Sequence, residues 1–485
     1  MSRQKNPELP KDMLRGMFRD MSHKMFRNTR HIHLVAIGGV GMSGIAEVLL
    51  NLGFTVSGSD LHETQVTERL VGLGARVFTG HDPANITGAD VVVRSSAVTE
   101  ANSEVTAARS RRIPVIRRAE MLAELMRLKY GIAVAGSHGK TTTTSLVAAV
   151  MAAGELDPTV IVGGQVRAMG SNAVLGAGDH LVAEADESDG TFLHLTPTIA
   201  VVTNIDHEHV DFYPDMDSLR DAFREFLLRI PFYGACVLCV DDPEVRALLP
   251  NLDRKIITYG LSEGAQVRSD PGMVVTGDFG QEAVVWAHGQ ELGTLRLQLR
   301  GRHNLQNALA AVAVGLELGV PFERIASGLA DSSGVGRRCE EHGEHGGVQV
   351  VDDYGHHPTE VLAIMQVAHE FERPVAVLFQ PHRFSRTEMF AREFADALAS
   401  ATTVGLLPVY PAGEDPLPGI DSGLIARHLQ DKGLRRVKVL SGPEAIVSWL
   451  DDEVPAGSLV LTLGAGDVGR RVAEICSHLD ERSTR

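Results

Sequence analysis

A lysine set between glycine and a run of threonines is the most chemically informative feature of the chain. Gly136-Ser137-His138-Gly139-Lys140-Thr141-Thr142 follows the apolar run Tyr130–Ala135 and leads into a helix-compatible stretch from Ser145. A Gly-Lys-Thr ending belongs to a phosphate-binding loop: backbone amides cradle phosphates, the lysine meets the β and γ oxygens, and the threonine hydroxyl can ligate Mg²⁺. The general pattern carries an earlier glycine where this chain has Val134, so the spacing here is shorter. The strand before and the helix after still support ATP binding. Two polar clusters follow. Glu184, Asp186, Glu187 and Asp189 close one apolar run, and Asp206, His207, Glu208, His209 and Asp211 close the next. Carboxylates and imidazoles at the carboxyl ends of strands, downstream of a phosphate loop, suit a Mg²⁺·ATP site. A solvated acidic loop explains either cluster alone, but two after successive strands argue for the site.

Farther along, Asn304 and Asn307 are three residues apart, which puts both amides on one helical face. Arg337 and Arg338, Asp352 and Asp353 with His356 and His357, and His382 with Arg383 and Arg386 form three more groups. Guanidinium groups near a histidine at a strand end suit carboxylate or phosphate, which they bind through paired hydrogen bonds. Each group taken singly is also explained as a surface ion-pair set.

The elements that must position these residues are βα units. Short apolar runs alternate with helix-length amphipathic segments, which predicts an α/β chain with mainly parallel sheets. Three strand–glycine–helix junctions stand out. In the first, Gly39, Gly41 and Gly44 follow the run from His31 and precede a predicted helix around Ile45–Leu52, and Asp60 ends the next strand. That spacing fits a nucleotide-binding unit, with Asp60 where a dinucleotide fold keeps its ribose carboxylate. A nicotinamide-dependent oxidoreductase is the alternative it raises, and a tight turn without ligand is the plain one. The phosphate loop is the second junction. The third, Gly464, Gly466 and Gly469, is explained equally well by helix–strand packing.

The chain has 485 residues, enough for about three domains. With 44% hydrophobic and 22% charged residues it reads as globular. The net charge of −16 argues against nucleic acid or anionic lipid as a partner, so polyanions must be held by local devices. Leu34–Ala46 is cut by four glycines and stopped by Glu47, so membrane insertion is not expected. The cysteines Cys236, Cys239, Cys339 and Cys476 are too sparse for a disulfide scaffold, and a reduced, cytoplasmic setting is expected. Cys236 and Cys239 form a C-x-x-C within an apolar strand and read as core. His342 and His345 read as part of a polar hairpin loop.

Across nearly the whole chain these segments resemble the Mur ligases, ATP-dependent amide-forming enzymes of bacterial peptidoglycan synthesis. The resemblance rests on Gly136–Thr144, on Glu184-Ala-Asp-Glu-Ser-Asp-Gly-Thr-Phe192, Asn204-Ile-Asp-His-Glu-His209, Gly301-Arg-His-Asn-Leu-Gln-Asn307, Asp352-Asp-Tyr-Gly-His-His-Pro-Thr-Glu360, Gln380–Thr387 and Leu463–Val468, in family order. It implies three α/β domains: a Rossmann-like UDP-sugar domain over 1–128, a central P-loop ATP domain over 129–335, and a Rossmann-like amino-acid domain over 336–485. Within the family, Ala36–Glu47, Val56–Asp60 and Asp352–Val361 look like the branch that joins L-alanine to the lactoyl carboxylate of UDP-N-acetylmuramate through an acyl phosphate. A close relative attaches a whole tripeptide to the same sugar and is the alternative. UDP thus replaces the dinucleotide as the expected ligand of the first glycine loop.

The resemblance also implies roles. Gly39, Gly41, Met42, Ser43, Gly44, Asp60, Ser95 and Ser96 would meet the UDP-sugar. ATP would be held by Gly136, Ser137, His138, Gly139, Lys140, Thr141, Thr142, Asn304 and Asn307, with Arg338 and Asp353. Thr141 and Glu184 would hold one Mg²⁺ (or Mn²⁺) and His209 a second. His356, Arg383 and Arg386 would hold the amino acid and product. Lys140, Glu184, His209, Arg338, Asp353 and His356 would carry the chemistry. A monomer or weak homodimer is expected. One departure stands out: relatives that use a carbamylated lysine at the second metal have one where this chain has none, since no lysine lies between Lys140 and Lys255. A carboxylate or water must take its place.

Overall fold

A computed structural model describes residues 26, 28–95, 97–166, 171–174, 176–209, 212–270, 272, 274–277, 280–332 and 334–483; Ser96 and Asp211 lie outside the described residues. The chain forms two compact units, one of Met1–Val275, Glu282–Gln298 and Asn304–Gly334, the other of Thr276–Gln281, Leu299–His303 and Val335–Arg485. The fold is α/β, with parallel pairing dominant in every sheet.

In the first unit, a five-stranded parallel sheet runs in the order Arg76–Thr79, Thr55–Asp60, His31–Val35, Val91–Arg94, Val115–Arg117. His31–Val35 sits in the middle and delivers the first glycine loop at its carboxyl end. The helix that follows spans Val40–Asn51 and so begins earlier than the sequence predicts. Gly41 and Gly44 weaken helix propensity there, but burial of Met42, Ser43 and Ile45 holds the first turn in place.

The larger sheet has a parallel centre, Lys255–Gly260, Ala235–Cys239, Ile199–Val202, Tyr130–Ala135, His180–Glu184, Thr159–Val166. Ile199–Val202 and Tyr130–Ala135 are almost wholly buried, as strands covered on both faces must be. The order matters for chemistry. The phosphate-loop strand lies directly between the two strands whose ends carry the acidic clusters. Cys236 and Cys239 are buried in Ala235–Cys239, where burial pushes both thiols up to about 12. One apolar core runs from Ile32, Leu49 and Val56 through Met121 and Leu125 of helix Arg118–Arg127 to Leu181, Phe192 and Phe223.

The second unit is built on a sheet ordered Glu340–His345, Val348–Asp353, Leu459–Leu463, Val375–Phe379, Thr403–Leu406, Val437–Val439. Only its first strand is antiparallel among the described pairs. His342 and His345 belong to that strand, not to a loop. The turn is Gly346-Gly347, both at positive φ, which a two-residue hairpin requires. The third glycine junction serves packing: the Gly464 carbonyl accepts from Arg337 Nη2 at 2.7 Å, and a Cβ on Gly469 would come within 2.4 Å of Arg337 Nε.

Candidate active site

The phosphate loop is stapled to the exit of its neighbour strand. Ser137 Oγ accepts from the Asp206 amide at 2.8 Å, the His138 amide donates to Asn204 Oδ1 at 2.8 Å, and Thr203 Oγ1 donates to the His138 carbonyl at 2.6 Å. His138 Nε2 stands 3.0 Å from Asp206 Oδ2. Two glycines are dictated by geometry. Gly136 has φ 133°, and a Cβ there would lie 2.0 Å from Thr203 Oγ1; Gly139 has φ 81°, and a Cβ there would lie 2.7 Å from Asn307 Oδ1. Asn307 Oδ1 also accepts from Thr143 Oγ1 at 3.1 Å, and its Nδ2 donates to Asn304 Oδ1 at 3.4 Å. The loop therefore brings together Gly136, Ser137, His138, Gly139, Lys140, Asn304 and Asn307. Thr141 and Thr142 follow in the first turn of helix Lys140–Ala153.

Lys140 Nζ donates to the Gly136 and Ser137 carbonyls and pairs with Glu187 at 2.9–3.0 Å. Burial alone lowers an ammonium pKa, but Glu187 and Asp186 more than offset it, so Lys140 is held charged. Glu187 is fully buried. Its Oε1 lies 3.4 Å from His209 Nε2, which is 3.8 Å from Glu208 Oε2. Donor atoms of Glu187, Glu208 and His209 all fall within 4.8 Å of one another. Two carboxylates and one imidazole form a donor set that suits Mg²⁺ or Mn²⁺. Glu184 ends its strand beside Val134 and is half-buried. His209 takes a left-handed backbone, φ 56°, and its carbonyl accepts from the amides of Phe212 and Tyr213. The Tyr213 hydroxyl, its pKa raised by burial and by Glu187, donates to the Glu187 carbonyl at 2.8 Å.

At the first glycine loop, Asp60 Oδ2 accepts from the Gly38 amide at 2.8 Å and Oδ1 from the Leu61 amide at 2.8 Å. The carboxylate shapes the loop itself. Gly39 is the N-cap, its carbonyl accepting from Met42 and Ser43. A cleft of about 290 Å³ is lined by Arg94, Ser95, Arg117, Arg118, Ala119, Asp189, Thr191 and Phe212. Arg94 is paired there with Glu100 and Arg118 with Asp186, and three arginines lining one cleft in a chain of charge −16 make a surface suited to an anionic ligand. Sequence reasoning did not single out Arg94, Arg117 or Arg118. The available signal was an Arg-Arg pair closing the short strand Val115–Arg117.

The second unit gathers Arg338, Asp353, His356 and Arg383. Arg338 lies over the Tyr354 ring at 5.2 Å and 3.6 Å from Glu360 Oε1. The His356 amide donates to Glu360 Oε2 at 2.9 Å, and its ring stands 5.6 Å from that of His382, which stacks on Tyr410. Arg383 has φ 70°, rare for a non-glycine residue, and its Nη1 is 3.9 Å from Glu414. Arg386 follows one turn into helix Phe384–Leu398. Glu360, Tyr354 and Glu414, which orient these groups, carry no spacing signature of their own.

Asp353 is buried and accepts from the Cys339 and Gly355 amides, each at 2.7 Å. Burial pushes its carboxyl up to about 6, against the pull of Arg338 and those amides. A carboxyl with a raised folded value stabilises most below its unfolded 3.8, and that contribution fades as pH rises through about 6. His303 and His382 are pushed down to about 4, mainly by burial, and act in the opposite sense, stabilising more as pH rises toward 6.5. Asp353→Asn removes only the first effect. Its melting temperature relative to wild type should climb between pH 4 and pH 7, and a flat difference would show that Asp353 ionises normally.

Comparison with known proteins bears on all of these regions. Residues 31–130 match a model described as the Mur ligase family catalytic domain, 134–315 the Mur ligase middle domain, and 337–466 the Mur ligase glutamate ligase domain. The chain is 52% identical over 455 residues to the UDP-N-acetylmuramate--L-alanine ligase of Desulfosudis oleivorans, covering 93% of this chain and 99% of that one. It is 51% identical over 462 residues to the enzyme of the same name from Acidobacterium capsulatum, covering 94% and 99%. Among solved structures, the UDP-N-acetylmuramate-alanine ligase of Thermotoga maritima aligns with TM-score 0.77 and 29% identity over 94% of this chain and all of that one. A murein peptide ligase from Psychrobacter arcticus shares the fold at TM-score 0.68 and 21% identity, covering 93% and 99%.

Proposed function

The chain belongs to the Mur ligase family, and on that premise we propose that it joins L-alanine to the lactoyl carboxylate of UDP-N-acetylmuramate. ATP is the co-substrate, and the products are UDP-N-acetylmuramoyl-L-alanine, ADP and phosphate. The observation that carries the reading is the juxtaposition of Lys140, Glu187, Glu208 and His209 at the ends of adjacent strands, in a chain about half identical to ligases of that name. The tripeptide-attaching alternative is less well supported, because the relatives about half identical to this chain carry the L-alanine ligase name. A nicotinamide oxidoreductase leaves the phosphate loop unexplained.

The chemistry follows from what a carboxylate lacks. It does not condense with an amine at neutral pH, so its oxygen first takes the γ-phosphoryl of ATP. The resulting acyl phosphate is attacked by the alanine amine, and phosphate leaves. Lys140, held charged, neutralises the transferring phosphoryl group, and Asn304, Asn307 and the loop Gly136–Thr142 orient the nucleotide. Glu187, Glu208 and His209 would hold a divalent cation, with Thr141 and Glu184 toward the phosphates; a bound cation supplies charge neutralisation. The carboxylates of Glu187 and Glu208 are the candidates to replace the carbamylated lysine this chain lacks. Gly39, Gly41, Met42, Ser43, Gly44 and Ser95, with the three arginines of the cleft, receive the UDP-sugar. Asp60 supports them through Gly38. His356, Arg383 and Arg386 take the alanine carboxylate, and Arg338 and Asp353 take part at the nucleotide. The need for ATP and the free cysteines support a bacterial cytoplasmic setting.

Phosphate release tests the reading. Release should require both UDP-N-acetylmuramate and an amino acid, fastest with L-alanine over glycine, L-serine or the tripeptide. Release only with the tripeptide would move the chain to the other branch, and none with any acceptor would sink the ligase reading. For the metal, Glu187→Gln should weaken Mn²⁺ binding, read by its electron spin resonance with a non-hydrolysable ATP analogue, by about 10- to 100-fold. Unchanged Mn²⁺ affinity would remove Glu187 from the donor set.

A further inference from the structure

Arg118 opens helix Arg118–Arg127, whose inner face, including Met121, Leu122 and Leu125, is buried in the core common to both sheets of the first unit. Its guanidinium meets two different sites. On one side it packs on the first glycine loop, so closely that a Cβ on Gly41 would come within 2.8 Å of Nη1. On the other, Nη2 stands 3.5 Å from Asp186 Oδ2. Asp186 adjoins Glu187 in the chain, and Glu187 pairs with Lys140 Nζ at 2.9–3.0 Å. Asp186 therefore stands between a cation beside one nucleotide loop and the residue that pairs with the lysine of the other.

We propose that Arg118 is a positioning residue that couples the two nucleotide sites. An anion docked at Gly39–Gly44 draws the guanidinium toward itself and loosens its pairing with Asp186. That leaves the carboxylate to Lys140 and to the divalent cation that arrives with ATP. A contact of 3.5 Å is long for a charge-assisted hydrogen bond, so a small swing of the side chain is enough to exchange partners. The sign is positive, since a carboxylate relieved of one cation attracts the next more strongly. By linkage the effect is reciprocal. The inference rests on the UDP-sugar reading of the first glycine loop.

Calorimetric titration tests it, with the Mg²⁺ complex of a non-hydrolysable ATP analogue as titrant and saturating UDP-N-acetylmuramate present or absent. Wild type should bind the analogue about fivefold or more tightly with the sugar nucleotide present, and Arg118→Met should reduce that ratio to about one. Asp186→Asn should do the same from the other end of the contact, which keeps the test decisive if Arg118→Met folds poorly. The double variant should lose no more than either single one, as expected when both act through one contact. The proposal is overturned if wild type binds both ligands without coupling, or if either variant keeps the wild-type ratio. If wild type binds the ATP analogue but no UDP-N-acetylmuramate, the sugar-nucleotide reading itself fails, and this inference falls with it.

Discussion

Lys140→Met is expected to lower kcat by about 10³-fold or more, while the Kd for UDP-N-acetylmuramate, measured without nucleotide, stays within about threefold. The first effect follows from position. Lys140 is the cation at the head of the phosphate loop and is held charged by Glu187 and Asp186. Methionine matches the aliphatic stem but cannot neutralise charge on a phosphoryl group in flight. The second effect follows from separation, because the first glycine loop, proposed to take the UDP-sugar, is carried by the other sheet of the same unit. A structural cost accompanies both. Glu187 is fully buried, and stripping it of its cation should destabilise the fold by about 3–5 kcal/mol. The assay therefore belongs at a temperature where circular dichroism shows the variant folded. Near-normal turnover in the folded variant would remove Lys140 from the catalytic groups, and loss of UDP-sugar binding would contradict the separation of the sites.

Gly136→Ala should weaken binding of the ATP analogue by about 100-fold or more and leave UDP-N-acetylmuramate binding in place. A backbone at φ 133° is strained for any side chain, at a cost of about 1–3 kcal/mol. Space is the harder limit. The new Cβ would stand 2.0 Å from Thr203 Oγ1 and 3.0 Å from the Asn204 carbonyl, so the loop must shift relative to the strand that staples it. Such a shift moves Ser137, His138 and the start of helix Lys140–Ala153 together. Gly72→Ala is the control, because nothing lies within 4 Å of a Cβ there and the site ends a helix. That variant should bind both nucleotides as wild type does. Wild-type ATP affinity in Gly136→Ala, measured by calorimetry, would show that the loop does not touch phosphate.

Some of this was legible in the chain. The phosphate loop is local: glycines for backbone freedom, a lysine and threonines stand within seven residues, flanked by a strand and a helix. The alternation of apolar runs with helical segments specified parallel α/β sheets, because strands covered on both faces must be apolar throughout. The carboxylates of both acidic clusters were visible for the same reason, since each follows a strand without interruption. Ser96, expected at the UDP-sugar, lies outside the described residues.

What the chain did not disclose were relations between segments distant in sequence. Strand order decided that His180–Glu184 and Ile199–Val202 flank the phosphate-loop strand, which brings Glu187 and Glu208 to His209 and Lys140 to Glu187. Asp60, expected at the UDP-sugar, accepts from the Gly38 amide 22 positions earlier, a contact that spacing does not disclose. Arg118 carries no signal of its own in the sequence, and tertiary packing sets it between Gly41 and Asp186. Spacing along the chain determines backbone geometry and local donors, because those forces act within a few residues. Which charges finally face one another is decided by sheet order and helix packing, because burial is what brings remote side chains within a few ångströms and makes their pairing strong.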